Sequence, residues 1–154
     1  MKQTVINRGE ESDIILITVV YGSKTDHPMS ADELLTMLEQ TRQYNKANGI
    51  TGILLYKNCR FLQVIEGEKD SVEQLFETIK EDKRHSCIIT YLKKEIGERE
   101  FGEWQMGFCD LELEKYQHIE GLTNFLDQSN QTERYTGDPS EVYMLLKNFR
   151  QYLR

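Results

Sequence analysis

The sequence predicts a two-layer α+β sandwich, with two helices packed on one face of a five-stranded mixed sheet. Three observations carry that expectation. Apolar runs short enough to be strands alternate with segments of helical periodicity in the order β-α-β-β-α-β-β. A capping motif and a following glycine bracket the first helix. A short polar break between two apolar runs reads as a hairpin.

The elements follow in order. Met1–Asp13 is polar and reads as a flexible leader without the apolar core of a signal peptide. Ile14–Tyr21 is apolar at both alternating sets of positions, which predicts a strand in the middle of a sheet. After a loop containing Asp26 and Pro28, Ser30-Ala-Asp-Glu33 forms a capping box. Leu34, Leu35, Leu38 and Thr41 then recur at helical spacing up to Gly49, predicting a helix near 31–47. Ile50–Tyr56 and Arg60–Glu66 flank Lys57-Asn58-Cys59 as a hairpin. Val72, Leu75, Phe76 and Ile79 share one face of a second helix. Cys87–Lys93 is a fourth strand, and Phe101–Phe108 a fifth, with Trp104, Met106 and Phe108 on one side. Together these make a ferredoxin-like domain over 14–109. A helical extension, 110–154, follows, in which Asp138-Pro139 starts a helix whose stripe is Val142, Leu145, Leu146, Phe149 and Leu153.

Composition narrows the function. The chain has 154 residues, 38% hydrophobic and 29% charged, which suits one soluble domain. No apolar run is long enough for a bilayer, so membrane insertion is not expected and the cytoplasm is. The net charge of −7 without a basic cluster argues against direct nucleic-acid binding. Cys59, Cys87 and Cys109 are widely spaced, with no CxxC pair, and the three histidines lie far apart, so no metal site is expected. The phosphate-loop, dinucleotide, nucleophile-elbow and HExxH signatures are all missing.

What remains are polar residues in apolar places. Gln63 interrupts Phe61-Leu-Gln-Val-Ile65, and a buried carboxamide without partners costs roughly 2–4 kcal/mol. The stripe of the first helix runs Leu34, Leu38, Thr41, Asn45 and so turns polar at its end. Tyr21 closes the buried first strand, its ring expected in the core and its hydroxyl in need of a partner. Each has an ordinary structural explanation: an amide bonded to a loop, a solvated last turn, a core-edge tyrosine. The physics of the sequence puts these groups on strands one and three and the first helix, a set able to line one pocket, and names no ligand.

Five segments are more specific: Val20-Tyr-Gly-Ser23, Asn45-Lys-Ala-Asn-Gly-Ile-Thr-Gly-Ile-Leu-Leu-Tyr56, Phe61-Leu-Gln-Val-Ile-Glu-Gly67, Asp82-Lys-Arg-His85 and Phe101-Gly-Glu-Trp-Gln-Met-Gly107. In this order and spacing, residues 15–108 resemble the BLUF family of blue-light photoreceptors. The resemblance implies a flavin held non-covalently between the two helices, usually FAD, with FMN and riboflavin left open. It implies that Tyr21 and Gln63 form a hydrogen-bonded chain to the N5/O4 edge of the flavin, and that Asn45 holds the polar edge of the ring. It also implies that Trp104 and Met106 relay the light signal, and that Asp82, Arg84 and His85 lie near the cofactor; Thr41 is expected beside it from the polar end of the helix stripe alone. Thr78 stands where the family is often basic, which removes a charged contact from that turn. The implied output is a separate signalling protein or assembly into a homo-oligomer, since no output domain is recognised. A flavin-dependent redox enzyme and a ferredoxin-like regulatory module without photochemistry are the competing functions.

Overall fold

The computed structural model describes residues 3–7, 10–110 and 141–152. Its strands are β1 (Gln3–Asn7), β2 (Glu10–Ile14), β3 (Leu16–Lys24), β4 (Thr51–Lys57), β5 (Arg60–Glu68), β6 (Ser86–Ile96) and β7 (Gly107–Asp110). The helices are α1 (Ala31–Asn48), α2 (Lys69–Glu81) and α3 (Glu141–Tyr152). The main sheet has five strands in the order β6-β3-β5-β4-β7. Every pairing in it is antiparallel except β4 with β7, so the sheet is mixed as expected.

Local chemistry accounts for the element boundaries. At the start of α1 the Ser30 hydroxyl accepts from Glu33 N–H, while Ser30 N–H donates to the Glu33 carboxylate, each at 3.1 Å. Gly49, at φ 66°, closes the helix in the left-handed region that glycine adopts without steric cost. The β4–β5 connection is tighter than the three-residue break expected. Lys57 pairs with Arg60, and Asn58 and Cys59 both have positive φ, the signature of a two-residue hairpin turn of type I′.

The alternation of side chains divides the apolar residues into two cores. Ile17, Val19 and Tyr21 of β3, Leu54 of β4, and Phe61 and Ile65 of β5 face α1 and α2, where Leu34, Leu38, Val72 and Phe76 meet them. Val20, Ile53, Leu55, Leu62 and Val64 point the other way, onto Val142, Tyr143 and Leu146 of α3. Leu145 and Phe149 pack on that second cluster partly buried, and Lys94 on β6 reaches Glu141 at 2.7 Å. Thus α3 covers the sheet face that α1 and α2 leave open.

Two expectations are corrected. Residues 3–7 and 10–14 form an antiparallel strand pair where a flexible leader was expected. The expected strand Phe101–Phe108 is a loop as far as Met106, and pairing with β4 begins only at Gly107. Without a strand there, alternation does not apply: Met106 and Phe108 join the core under α1 and α2, whereas Trp104 packs against the core under α3. The remainder of the expected 110–154 extension, including Asp138, Pro139 and Leu153, lies outside the described residues.

Leu146 is fully buried between α3 and the sheet. Leu146→Ala should therefore lower the free energy of unfolding by about 2–4 kcal/mol, read from a denaturant melt. A loss below about 0.5 kcal/mol would mean that α3 does not seal this face.

Candidate functional site

A cavity of about 740 Å³ opens between α1 and α2 and is floored by the sheet. That size and its largely apolar floor suit a small organic ligand. Met29, Met37, Leu54, Phe61, Leu75 and Ile79 supply apolar walls. Tyr21, Thr41, Asn45, Gln63, Asp82, Arg84, His85 and Met106 all line it as well. Every site residue read from the sequence is thus gathered into one cavity except Trp104, which lies on the far side, half-buried and stacked on Phe101 with ring centroids 6.2 Å apart. Thr78 and Tyr44 also line the cavity, neither bringing a charge.

The floor carries a short relay. Tyr21 and Gln63 are directly opposite on β3 and β5, both on the cavity side. The Tyr21 hydroxyl donates to Gln63 Oε1. Burial pushes the phenol far above its usual range, and the negative charge of Asp82 adds to the shift, so Tyr21 is a neutral O–H donor at any physiological pH. With Oε1 so engaged, Gln63 Nε2 points at Met106 Sδ, 3.5 Å away. A thioether is a weak acceptor, so this amide N–H retains donating capacity. Gln63 is 8% exposed and therefore depends on such partners.

Asn45 forms the second polar point. It is buried on the last turn of α1, and its Nδ2 donates to the Gln105 carbonyl. Its Oδ1 is buried with no hydrogen-bond partner among the described residues. A buried amide oxygen left without a donor costs about 1–3 kcal/mol, a cost that a ligand bringing an N–H to this point would remove.

The far wall is held by ionic and imidazole contacts. Arg84 pairs with Asp82 at 2.6 Å and crosses to Gln40 of α1 at 3.1 Å. The Arg84 guanidinium holds the Asp82 carboxyl below the usual carboxylate range. His85 Nε2 lies 2.9 Å from the Ile79 carbonyl, which can only accept. That nitrogen therefore carries the proton, and in the neutral ring Nδ1 accepts from the Ser23 hydroxyl at 2.9 Å. These contacts of Ser23 and Gln40, and the bond from Arg42 Nε to the Met106 carbonyl at 2.9 Å, were not expected from sequence, because none marks itself by breaking an apolar pattern.

Fold and cavity together define a ferredoxin-like ligand-binding domain with a phenol–amide relay in its floor. The chain belongs to the BLUF family, described as sensors of blue-light using FAD, whose profile matches residues 16–107. It is 38% identical over 87 residues to the photoactivated adenylate cyclase subunit alpha of Euglena gracilis, covering 56% of this chain and 8% of that protein. It is 32% identical over 101 residues to the blue light- and temperature-regulated antirepressor BluF of Escherichia coli K12, covering 64% of this chain and 25% of the relative. The match therefore spans only a small part of these longer relatives. Among solved structures, the dark state of the BLUF protein BlrB superposes with a TM-score of 0.65 at 26% identity, over 91% of this chain and 98% of that one. The photo-activated state of BlsA gives 0.61 at 30% identity, over 90% and 94%.

The residues present fit a flavin. Among the described residues Asn45 Oδ1 has no donor and Gln63 Nε2 donates to sulfur, and these polar groups stand beside apolar walls of Met29, Met37, Leu54, Phe61, Leu75 and Ile79, which suits a flat ring with one polar edge. Asn45→Ala should weaken flavin retention about fivefold or more, from loss of about 1–3 kcal/mol of hydrogen bonding, as read by cofactor occupancy after dialysis. Occupancy equal to that of the unsubstituted protein would remove Asn45 from the site.

Proposed function

We propose that this chain is a blue-light photosensor that holds FAD non-covalently in the α1–α2 cavity and signals by rewiring the hydrogen bond between Tyr21 and Gln63. The observation that carries this reading is the buried chain from Tyr21 through Gln63 to Met106 at the cavity floor. When bound, FAD supplies absorption of blue light and a strongly oxidising excited state. Asn45 and Gln63 offer hydrogen bonds to its polar edge, Thr41 lies beside them, and Asp82, Arg84 and His85 frame the opposite wall.

The protein's own groups suit reversible switching. Tyr21 is held protonated and donates to Gln63 Oε1, so electron loss from the phenol has a proton acceptor in hydrogen-bond contact. Return of both leaves the tyrosine unconsumed. The ends of an amide have nearly the same shape and opposite hydrogen-bond polarity. Turning Gln63 over, or shifting its proton from nitrogen to oxygen, reverses what faces Tyr21 and Met106 with little movement of the backbone. Met106 reads the change because its sulfur receives Nε2 in the present arrangement. Trp104 belongs to the same segment and packs on the opposite side of the sheet, which supports reading it as the residue that reports the change toward α3.

The domain passes this change to a separate signalling protein, or to further copies of itself, in the cytoplasm. No helix among the described residues is long and apolar enough to cross a membrane, and none of these residues groups into a cluster able to hold a metal. The relatives that are cyclases match over a small part of their length, so the shared segment is read as photosensory and no catalytic role is assigned to it.

Light–dark difference spectroscopy tests this function. The protein should bind flavin and show a red-shifted absorption under blue light that reverts in darkness. Tyr21→Phe should keep the flavin and abolish the reversible shift, and a normal difference spectrum in that variant would overturn the donor assignment. Gln63→Leu should also bind flavin, with a displaced dark spectrum and no photocycle. If it cycles normally, another residue carries the relay.

A further inference from the structure

Glu66 is a buried carboxylate that the switch as described does not use. It is 1% exposed and sits on β5 three residues after Gln63, on the opposite side of the sheet, because side chains alternate along a strand. Its Oε1 accepts from Phe101 N–H at 2.7 Å and from the Thr51 hydroxyl at 2.9 Å. Its Oε2 accepts from Glu100 N–H at 3.0 Å. Arg99 closes the arrangement, donating to the Thr51 hydroxyl at 2.9 Å and to the Gly49 carbonyl at 2.7 Å. Burial pushes the Glu66 carboxyl upward, and the three donors oppose that shift. A carboxylate kept in so costly a place has both its oxygens committed to one loop, with Thr51 of β4 as a further donor.

That loop leads to the switch. Trp104 N–H donates to the Phe101 carbonyl at 3.0 Å, and Gly52 N–H to the Trp104 carbonyl at 3.1 Å. Asn45 holds the Gln105 carbonyl, Arg42 the Met106 carbonyl, and Met106 Sδ receives Gln63. We propose that Glu66 is a positioning residue of the photoswitch: from the far face of the sheet its carboxylate anchors the 100–106 segment and so sets how firmly Met106 meets Gln63. This rests on Gln63 being the switch. The same carboxylate makes the loop stiff enough for a turn of one amide to be felt at Trp104.

Glu66→Gln tests it in the full flavin-bound chain. Each carboxylate oxygen accepts from a backbone N–H, so either orientation of a glutamine sets an N–H2 against an N–H. The variant should bind flavin and red-shift in light, with dark recovery at least fivefold faster, because a loosened segment offers less resistance to the returning amide. Emission from Trp104, the only tryptophan, should be displaced. Thr51→Val, which removes one donor to the carboxylate, should speed recovery at least twofold and serves alone if Glu66→Gln does not fold. Leu146→Ala destabilises the same face without touching these hydrogen bonds and should recover at the rate of the unsubstituted protein. The proposal is overturned if Glu66→Gln recovers within twofold of the unsubstituted rate, if Thr51→Val recovers at that rate, or if Leu146→Ala accelerates recovery as much as Glu66→Gln. Failure of the underlying reading shows separately, as a full photocycle in Gln63→Leu.

Discussion

A carboxamide buried in the middle of the central strand is the constraint on which the rest of this structure turns. Gln63 sits on β5, flanked by β3 and β4, where an apolar residue would cost nothing. Its oxygen is satisfied by Tyr21, and among the described residues its nitrogen meets only a thioether. The amide is thus strongly held at one end and weakly held at the other. A group held in that way has one end open to a new partner, while two equally strong partners would lock it. The surrounding packing buries these groups: Phe76 lies 5.2 Å from the Tyr21 ring, and Met106 is 2% exposed.

The same strand serves both faces of the sheet. Odd-numbered residues Phe61, Gln63 and Ile65 face the cavity, and even-numbered Leu62, Val64 and Glu66 face away from it. The loop from Glu100 to Met106 crosses between these two environments. It leaves Trp104 on the α3 side and delivers Met106 to the cavity side. A change at Gln63 can therefore pass through its contact with Met106 and then along the backbone to Trp104 on the opposite face. Flavin-side chemistry and the α3 surface are joined by that segment as well as by the sheet.

Much of this was legible in the sequence. The α1 stripe was expected to turn polar at Asn45, and it does so with a buried amide oxygen awaiting a donor. Tyr21 and Gln63 announced themselves by placing polar groups in apolar runs, and they meet. The last strand misled for a physical reason. Phe101, Met106 and Phe108 are buried like strand residues, but the backbone between them finds partners outside a ladder. Phe101 N–H goes to Glu66, the Gln105 carbonyl to Asn45 and the Met106 carbonyl to Arg42. Hydrophobic pattern records burial and is blind to which group accepts a backbone hydrogen bond. Glu66 was hidden likewise, since a charged residue near a strand end reads as solvated until the loop that covers it is known. The residues of β1 and β2 looked like a leader because a polar strand pair lacks the apolar alternation that marks a half-buried one.

The central claim concerns the direction of one amide, and side-chain NMR of glutamine observes it directly. With the Nε2 protons of Gln63 assigned by comparison with Gln63→Leu, their resonances should move under blue light together with the red shift of the flavin. They should return at the same rate in darkness, as Nε2 exchanges its weak sulfur partner for a stronger acceptor. Gln63 amide resonances identical in light and dark, with a normal red shift of the flavin, would contradict the account.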